Sequence, residues 1–358
     1  MKIGILTLRF HTNYGGIMQA YALQNILEKL GHQAFILNIF YWGDGRHNAL
    51  YLFLYKMYFL CRKRFSSEYV ERKYLNRFIK KELKQKYYFS FSSIEEKDFD
   101  AIIVGSDQIW REIFSPRIEN TYLDFTTGWK IKRISYAASF GTDIWSYSKV
   151  QTQNCKALLA LFDSISVREL SAVRLLQDNM GIESKLVLDP TLLFTSDDYC
   201  RLLSLNKNTK KGYMLSYILE ENEHVNMILD AISKDKNLTK KCIYPERHYM
   251  KTLPSLEEWL QSLLDAEFIF TDSFHVSVFS IIFGKPFLFI KNEIAGNTRV
   301  ESLMEILNIK DHMISEQCDA LNAVYLSRSI GPIDASVISN LNVMRADSIS
   351  FLKKALNN

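Results

Sequence analysis

The sequence lacks the cysteine and histidine patterns that mark disulfide-rich and metal-binding proteins. Its 358 residues include five cysteines, an odd number, and none of them forms a Cys-x-x-Cys pair. Such scattered cysteines are not typical of a disulfide framework or a structural zinc site, so we expect reduced, packed thiols. Histidines at metal-ligand spacing and acidic clusters are also missing. The sequence therefore predicts no tightly bound metal or other cofactor.

Long apolar runs are missing as well. The apolar run at the amino end, residues 3–8, is too short for the core of a signal peptide, and charged and polar residues follow it at once. The most lipid-like segment, residues 50–61, is interrupted by Lys56 and is shorter than the roughly 20 residues of a membrane-spanning helix. We therefore expect a cytoplasmic protein without a transmembrane helix.

A strong charge of one sign is also absent, because the formal net charge is +4 and no basic stripe is interleaved with aromatic residues. This balance argues against a nucleic-acid partner. One segment is an exception, since residues 56–86 contain 11 Lys or Arg against 3 Glu, beside the aromatic-rich run 51–59. Two interpretations stay open: solvated helices with a basic outer face, or a peripheral contact with anionic lipid or a lipid-linked diphosphate at the inner face of a membrane.

The sequence does contain a repeated alternation of apolar runs and helical patterns. Residues 3–10 form a β-rich run, a helical pattern follows, and Gly31 ends that helix before the next apolar run at 34–40. Such a βαβ unit builds a parallel sheet. Because 358 residues exceed what one core usually organises, we predict an α/β protein with two Rossmann-like domains facing across a cleft.

We place the domain boundary near Pro190, because proline biases the residue before it away from helix. The first predicted domain is 1–190, with a basic helical insertion near 50–90. The second is 191–358 and ends in a helix at 333–356. One interpretation is that this helix packs back on the first domain. The oligomeric state is left open by the sequence.

Polar residues collect just after the predicted strands, where open parallel sheets bind their ligands. After the first strand come Asn13, Tyr14, Gly15 and Gly16, at a strand-to-helix connection that lacks the full Gly-x-Gly-x-x-Gly spacing. Two interpretations stay open here: backbone N–H groups that bind a phosphate or carboxylate, or a tight turn that needs glycine. Dinucleotide binding is not favoured.

Three later strand ends of the first half supply further candidates. Asp107 could serve as a general base or orient a hydroxyl, or it could cap a helix. Arg168 offers a permanent bidentate cation for an anion, or an ion pair with Glu169 or another carboxylate. Both pairs of alternatives stay open. Neighbouring candidates suited to sugar hydroxyls are Ser106, Gln108 and Ser139.

In the second half, His275 follows a strand and opens an apolar helical pattern. It can donate to an anion or transfer a proton, with Asp272 near enough to orient it, or it can be a structural histidine. Arg299 lies where a glycine-containing loop enters a helix and is a second candidate ligand for an anion, or a solvated arginine. Ser273 and Lys291 complete the candidate set.

Six segments of the chain, in this order, resemble the polysaccharide pyruvyl transferase family. The resemblance covers nearly the whole sequence and implies a fold similar to that of GT-B glycosyltransferases. It also implies transfer of pyruvate from phosphoenolpyruvate onto two hydroxyls of one sugar as a cyclic ketal, in the synthesis of a capsular, extracellular or cell-wall polysaccharide. The segments are Asn13-Tyr14-Gly15 leading into Gln19-Ala20-Tyr21-Ala22-Leu23-Gln24, then 105–110, 135–141, 166–169, 188–191 and 271–275.

The resemblance also implies roles for single residues. It gives His275 phosphate binding or proton donation, Arg168 an anion clamp, and Asp107 acceptor binding or the role of base. The donor carries a phosphate and a carboxylate, so at least two cationic or N–H-rich subsites are needed. The acceptor implied is a sugar or a lipid-linked oligosaccharide.

One departure from the family leaves the second donor cation open. Some members carry arginine where this chain has Ser273, and Arg299 or Lys291 could replace it here. Two other functions also stay open. One is a nucleotide-sugar-dependent glycosyltransferase on the same fold, since a fold does not fix a function. The other is a binding or assembly protein without catalytic activity.

Overall fold

The computed structural model describes residues 1–42, 72–207, 212–243, 252–292 and 296–357. The chain divides into two compact units, and each is built on its own parallel sheet. The first unit comprises Met1–Pro190 with the described parts of 248–254 and 349–358. The second comprises the described parts of 191–247 and 255–348.

The sheet of the first unit has the strand order β3-β2-β1-β4-β5-β6-β7, and every neighbouring pair is parallel. The chain order reverses between β1 and β4, which is the point where open parallel sheets form a ligand crevice. The strands are β1 (Lys2–Leu6), β2 (Gln33–Tyr41), β3 (Gln85–Ser90), β4 (Ala101–Val104), β5 (Lys132–Ala138), β6 (Ser164–Val167) and β7 (Lys185–Leu186).

The helices of this unit are α1 (Tyr14–Lys29), α2 (Lys73–Glu82), α3 (Lys149–Leu159) and α4 (Leu170–Met180). Most of α1 is buried, in keeping with its apolar composition. The helix ends as the sequence predicts, because Gly31 follows the last turn with φ +88°, a conformation that glycine adopts without steric cost.

The predicted basic insertion near 50–90 lies outside the described residues up to position 71. From Lys73 onward the segment holds α2, as expected, but Gln85–Ser90 form strand β3 instead of continuing a helix. The aromatic residues Tyr87, Tyr88 and Phe89 favour a strand, and β2 offers them a parallel edge. Peripheral contact with a membrane through residues 56–86 stays a prediction.

The sheet of the second unit has the order β12-β11-β10-β8-β9, again with parallel pairs. Its order reverses between β8 and β10, and β8, β10 and β11 are fully buried, as central parallel strands usually are. The strands are β8 (Tyr213–Tyr217), β9 (Thr239–Cys242), β10 (Phe268–Thr271), β11 (Phe287–Ile290) and β12 (Met313–Ile314).

The chain ends in a long helix, α11, as the pattern at 333–356 predicts. Its residues up to Ser348 belong to the second unit and the rest to the first, where the Phe351 ring lies 6.3 Å from the ring of Tyr136. The helices after Pro190 are α5 (Ser196–Leu203), α6 (Glu223–Asp235), α7 (Leu256–Asp265), α8 (Phe274–Ile282), α9 (Thr298–Leu307), α10 (Ala320–Ser329) and α11 (Ala335–Asn357).

The predicted fold class, α/β with parallel sheets, is confirmed. Both sheets have the parallel pairing and strand-order reversal of Rossmann-like domains. Among the residues that the structure describes, none of the helices is long and apolar enough to cross a membrane.

Candidate functional site

The start of α1 lies directly after the carboxyl end of β1. Asn13 caps the helix, because its side chain accepts a hydrogen bond of 3.0 Å from the backbone N–H of Gly16. Tyr14 is buried and donates its hydroxyl to the carbonyl oxygen of Pro254 at 2.8 Å. Gly15 and Gly16 form the buried first turn. These four residues therefore build a capped helix start.

Asp107 lies beside this helix start. A Cβ atom on Gly16 would be 3.3 Å from Asp107 Oδ2, so glycine leaves the room that the carboxylate needs. The positive end of a helix dipole stabilises negative charge at such a place. A carboxylate of the protein itself therefore lies beside this turn, and binding of a ligand's phosphate or carboxylate by residues 13–16 stays a prediction.

The turn after β4 sets the backbone of Asp107. Gly105 has φ +132°, and a Cβ on it would overlap the carbonyl oxygen of Tyr136. Asp107 has φ +62°, which is unusual for a residue with a side chain. The chain continues through short 3-10 segments, Glu112–Phe114 and Ile118–Tyr122, so Asp107 does not cap an α-helix there.

Arg168 is the centre of a buried carboxylate cluster in the first unit. Its Nη1 donates to Asp189 Oδ2 at 2.6 Å, and its Nη2 donates to Asp107 Oδ1 at 3.4 Å. Its Nε lies 3.7 Å from Glu169 Oε2, and the Arg168 side chain is 1% exposed. Burial alone would lower the pKa of Arg168, but the charges of Asp189, Asp107 and Glu169 outweigh it and raise that pKa.

This cluster matches the ion-pair alternative for Arg168. Three carboxylates face one guanidinium, so the arginine's charge is already matched inside the protein. These contacts hold the guanidinium against Asp107, and the implied role of an anion clamp for the donor stays a prediction. Asp189 was missed as a site residue, although it belongs to one of the six family-like segments. The feature of the sequence that could have identified Asp189 is its position directly after the predicted strand at 185–188.

Glu169 and Gln108 fix the loop after β5. Glu169 Oε1 accepts hydrogen bonds from the backbone N–H groups of Phe140 and Gly141 at 2.9 and 3.1 Å. A Cβ on Gly141 would overlap the side chain of Gln108, so the loops after β4 and β5 touch here. Ser139 is fully buried in the same loop. At the carboxyl ends of β4, β5 and β6 the structure thus brings together five candidates: Ser106, Asp107, Gln108, Ser139 and Arg168.

In the second unit, the Asp272 carboxylate follows β10 and accepts hydrogen bonds from the loops after β8 and β11. Its Oδ1 accepts from the backbone N–H of Leu219 at 2.7 Å. Its Oδ2 accepts from the backbone N–H of Glu220 at 3.2 Å and from Asn292 Nδ2 at 2.9 Å. Burial raises the pKa of Asp272, and these hydrogen bonds oppose the rise only in part. Asp272 therefore organises the switch point between β8 and β10.

His275 and Arg299 are brought to the same helix start by one aromatic ring. Phe274 and His275 lie in the first turn of α8 with ring centroids 5.0 Å apart, and His275 is buried. The Cζ of Arg299 lies 5.4 Å from the centroid of the Phe274 ring, a cation–π distance. Ser273 is the N-cap residue of α8, and its side chain makes no capping hydrogen bond.

Lys291 has a different environment. Its Nζ lies 2.6 Å from Glu301 Oε1, and the two side chains are 35% and 39% exposed. Such half-exposed pairs contribute little to stability, but they match the charge of the lysine. Of the two candidate replacements for an arginine at 273, Arg299 has its guanidinium next to the Phe274 ring at the start of α8.

In the described part of the chain, no group of three or more His, Cys, Asp or Glu side chains is placed to hold a metal ion.

Comparisons with known proteins agree on family and fold. The model of the polysaccharide pyruvyl transferase family matches residues 13–293. UDP-GlcNAc 2-epimerase from Neisseria meningitidis, solved with UDP-GlcNAc, aligns over 100% of both chains with a TM-score of 0.55 and 11% identity. The UDP-GlcNAc 2-epimerase of Methanocaldococcus jannaschii aligns over 97% of this chain and 99% of its own, with a TM-score of 0.52 and 16% identity. At these identities the likeness shows the fold alone. No curated protein matches the sequence.

Proposed function

Because the chain belongs to the polysaccharide pyruvyl transferase family, we propose that it transfers pyruvate from phosphoenolpyruvate onto two hydroxyls of one sugar residue as a cyclic ketal. The product would be a precursor of a capsular, extracellular or cell-wall polysaccharide. The observation that carries the proposal is the distribution of charge. An excess of carboxylates surrounds Asp107 beside the switch point of the first sheet, and a histidine and an arginine both lie next to the Phe274 ring at a helix start in the second unit.

The donor is assigned to the second unit. Phosphoenolpyruvate carries a phosphate and a carboxylate, and the first turn of α8 offers backbone N–H groups at the positive end of a helix dipole. His275 lies in that turn and Arg299 stacks on the adjacent ring. A guanidinium can hold a phosphate or a carboxylate with two hydrogen bonds, which suits the second cationic role.

The acceptor hydroxyl is assigned to Asp107. A sugar hydroxyl needs a carboxylate to orient it and to take its proton, and anionic donors would be repelled from a cluster in which carboxylates outnumber the guanidinium. Arg168 holds Asp107 through a hydrogen bond of 3.4 Å. Gln108 follows Asp107, is partly exposed and is suited to a further hydroxyl of the sugar, whereas the Ser106 hydroxyl is buried and donates to Asp189 Oδ2 at 3.1 Å.

The reaction then balances without a cofactor. A proton adds to the methylene carbon of the donor, which becomes the methyl group of the ketal, and the neighbouring carbon gains oxocarbenium character. The first sugar hydroxyl adds to that carbon and loses its proton, the bond to the phosphate oxygen breaks, and the second hydroxyl closes the ring. Of the two hydroxyl protons lost, one replaces the proton placed on carbon and the other leaves with phosphate. Asp107 serves as base, and His275 binds the phosphate or delivers the proton.

A donor experiment tests this proposal against a nucleotide-sugar glycosyltransferase. Purified protein is incubated with phosphoenolpyruvate or UDP-sugars, together with synthetic or lipid-linked glycans, and followed by ³¹P NMR. We expect inorganic phosphate from phosphoenolpyruvate and intact UDP-sugars. Release of UDP with intact phosphoenolpyruvate would establish the glycosyltransferase instead. If neither donor reacts, a missing acceptor is the first explanation to test with further glycans, and a binding protein without catalytic activity is the second.

A further inference from the structure

A buried amide in α1 joins the chain segments that surround Asp107. Gln19 is 1% exposed, in the second turn of the helix. Its Nε2 donates to Thr7 Oγ1 at 2.8 Å and to the carbonyl oxygen of Gly16 at 2.9 Å. Its Oε1 accepts from the backbone N–H of Ser106 at 3.1 Å. One side chain thus uses both donors and its acceptor at once.

These three partners belong to the three segments that meet at the switch point of the first sheet. Thr7 follows β1, Gly16 opens α1, and Ser106 follows β4. Asp107 comes directly after Ser106, with its Oδ2 against Gly16. The amide therefore links the residue before Asp107 to the start of α1, although Gln19 is 87 residues away from Ser106 in the chain.

We propose that Gln19 is a positioning residue for Asp107, holding the Ser106–Asp107 turn against the start of α1 in the geometry that the reaction needs. This role rests on the proposed function, because it takes Asp107 to act on the sugar hydroxyl. The physical reason is that the N–H of Ser106 is buried, and a buried N–H without an acceptor is costly. Without Gln19 the turn can lower its free energy by shifting until the Ser106 N–H finds another acceptor. The Asp107 carboxylate then moves with it.

Only an amide satisfies all three partners. A leucine would fill the volume but offer no hydrogen bond, and a glutamate would accept from Ser106 but could not donate to Thr7 or Gly16. The carboxylate of a glutamate would also face the carbonyl oxygen of Gly16. The identity of this residue is therefore set by the turn it supports and not by packing alone.

The same helix supplies a matched control. Gln24 is also buried, at 2% exposure, and makes three hydrogen bonds of the same kind. Its Nε2 donates to the carbonyl oxygens of Ala34 and Lys84 at 3.0 and 2.9 Å, and its Oε1 accepts from the N–H of Lys84 at 3.0 Å. These partners lie just before or at the first residues of β2 and β3, at the amino ends of the strands. Gln24→Leu therefore removes equal bonding without touching the turn at Asp107.

The test compares Gln19→Leu with Gln24→Leu. We expect both to lower the melting temperature, but only Gln19→Leu to lower kcat, by about tenfold or more, with KM for phosphoenolpyruvate within about twofold of wild type. In crystal structures the Asp107 carboxylate should shift by about 1 Å in Gln19→Leu and stay in place in Gln24→Leu. Equal kcat in the two variants, with Asp107 unmoved, would overturn the proposal.

A second pair of variants covers the case in which Gln19→Leu does not fold. Thr7→Val removes one acceptor of the amide and keeps the volume of the side chain, while Thr7→Ser keeps the hydroxyl. We expect kcat to fall in Thr7→Val and to stay near the wild-type value in Thr7→Ser. Equal kcat in the two variants would argue against the positioning role of Gln19. If the wild-type protein releases no phosphate from phosphoenolpyruvate, the proposed function fails by itself. The crystallographic position of Asp107 still decides the role of Gln19.

Discussion

At the scale of single residues, burial and ion pairing have opposite effects on the pKa of Arg168. The Arg168 guanidinium is enclosed with three carboxylates, and its raised pKa shows that their attraction exceeds the cost of burial. Such a cluster is costly to disrupt, because removing the cation leaves negative charges buried without a partner. The cluster contains Asp107, so stability and the proposed base chemistry depend on the same contacts.

Arg168→Met should therefore destabilise the protein strongly. We expect a loss of about 3–5 kcal/mol in the free energy of unfolding, measured by urea denaturation, because the buried carboxylates lose their counter-charge. Arg201→Met is the control: it removes an ion pair with Asp198 in which the arginine side chain is 73% exposed, and the expected loss is below about 1 kcal/mol. Equal losses in the two variants would contradict the account of the cluster.

The donor cations give a second prediction. His275→Ala and Arg299→Ala should each lower kcat/KM for phosphoenolpyruvate by about a hundredfold, because each removes a group assigned to the donor's anions. Lys291→Ala should change it by less than about threefold, since the lysine is paired with Glu301. The measurement is steady-state phosphate release. Near-normal values for His275→Ala and Arg299→Ala would show the donor assignment to be wrong, and a large loss in Lys291→Ala alone would transfer the second role to that residue.

Asp272 gives a prediction about pH. Its pKa in the folded protein is raised above the ordinary 3.8, chiefly by burial. A raised carboxyl pKa means that the folded state binds the proton more tightly than the unfolded state, so stability is lost as pH rises through the folded-state pKa. The free energy of unfolding of wild type minus that of Asp272→Asn should therefore fall as the pH rises above the ordinary carboxyl pKa of 3.8. A difference that rises with pH, or stays constant, would refute this.

Residue types at the site could be predicted from the sequence, but their partners could not. The position of Arg168 after a strand indicated a bidentate cation, and a carboxylate partner was one open alternative. That Asp189 is the carboxylate at 2.6 Å depends on β6 and β7 being neighbours in the sheet. Likewise the contact between Arg299 and Phe274 depends on how α8 and α9 pack.

At the scale of elements, the start of α1 combines a cap, a glycine turn and a carboxylate from another strand. The strand-to-helix connection was predicted from the sequence, and glycine there was explained by an anion or by a tight turn. The structure gives a third reason, because Gly16 makes room for Asp107 Oδ2. A hydrophobic pattern reports which element forms, but it does not report which distant side chain approaches it.

Gly16→Ala tests this close approach. The added Cβ would lie 3.1 Å from Asn13 Nδ2 and 3.3 Å from Asp107 Oδ2, so one of the two side chains must shift. We expect kcat to fall by about tenfold, while stability changes by less than about 1 kcal/mol because alanine favours the helix. Gly31→Ala, at the other end of α1, is the control, since nothing lies near its Cβ and its positive φ affects stability alone. A Gly16→Ala enzyme with unchanged kcat would contradict the proximity argument.

The edge of the first sheet shows where element prediction failed. Basic residues between 73 and 86 indicated solvated helix, and α2 has that character, but β3 begins at Gln85. The charge pattern obscured a short aromatic strand whose pairing depends on β2, a neighbour that is remote in the chain. Local composition does not specify such an edge strand.

At the scale of the whole molecule, the alternation of strands and helices predicted two parallel α/β units, and the family-like segments predicted the family. Both are confirmed. The order of the strands within each sheet could not be predicted, because the periodicity of a sequence indicates a strand but not the strands that pair with it. Those orders place residues 13–16 and 106–108 after the strands of the first switch point, and residues 272–275 after a strand of the second, where ligand binding is expected in this fold class.

The central claim is tested most directly by measuring phosphate and product mass in one reaction. Purified protein, phosphoenolpyruvate and glycan acceptors are incubated with and without EDTA, phosphate is followed by ³¹P NMR, and the acceptor is weighed by mass spectrometry. We predict one phosphate released for each acceptor that gains about 70 Da, the mass of a pyruvate ketal, with no effect of EDTA and about a hundredfold slower product formation by His275→Ala. A gain of a whole sugar residue with release of a nucleoside diphosphate, or phosphate release without any gain in acceptor mass, would contradict it.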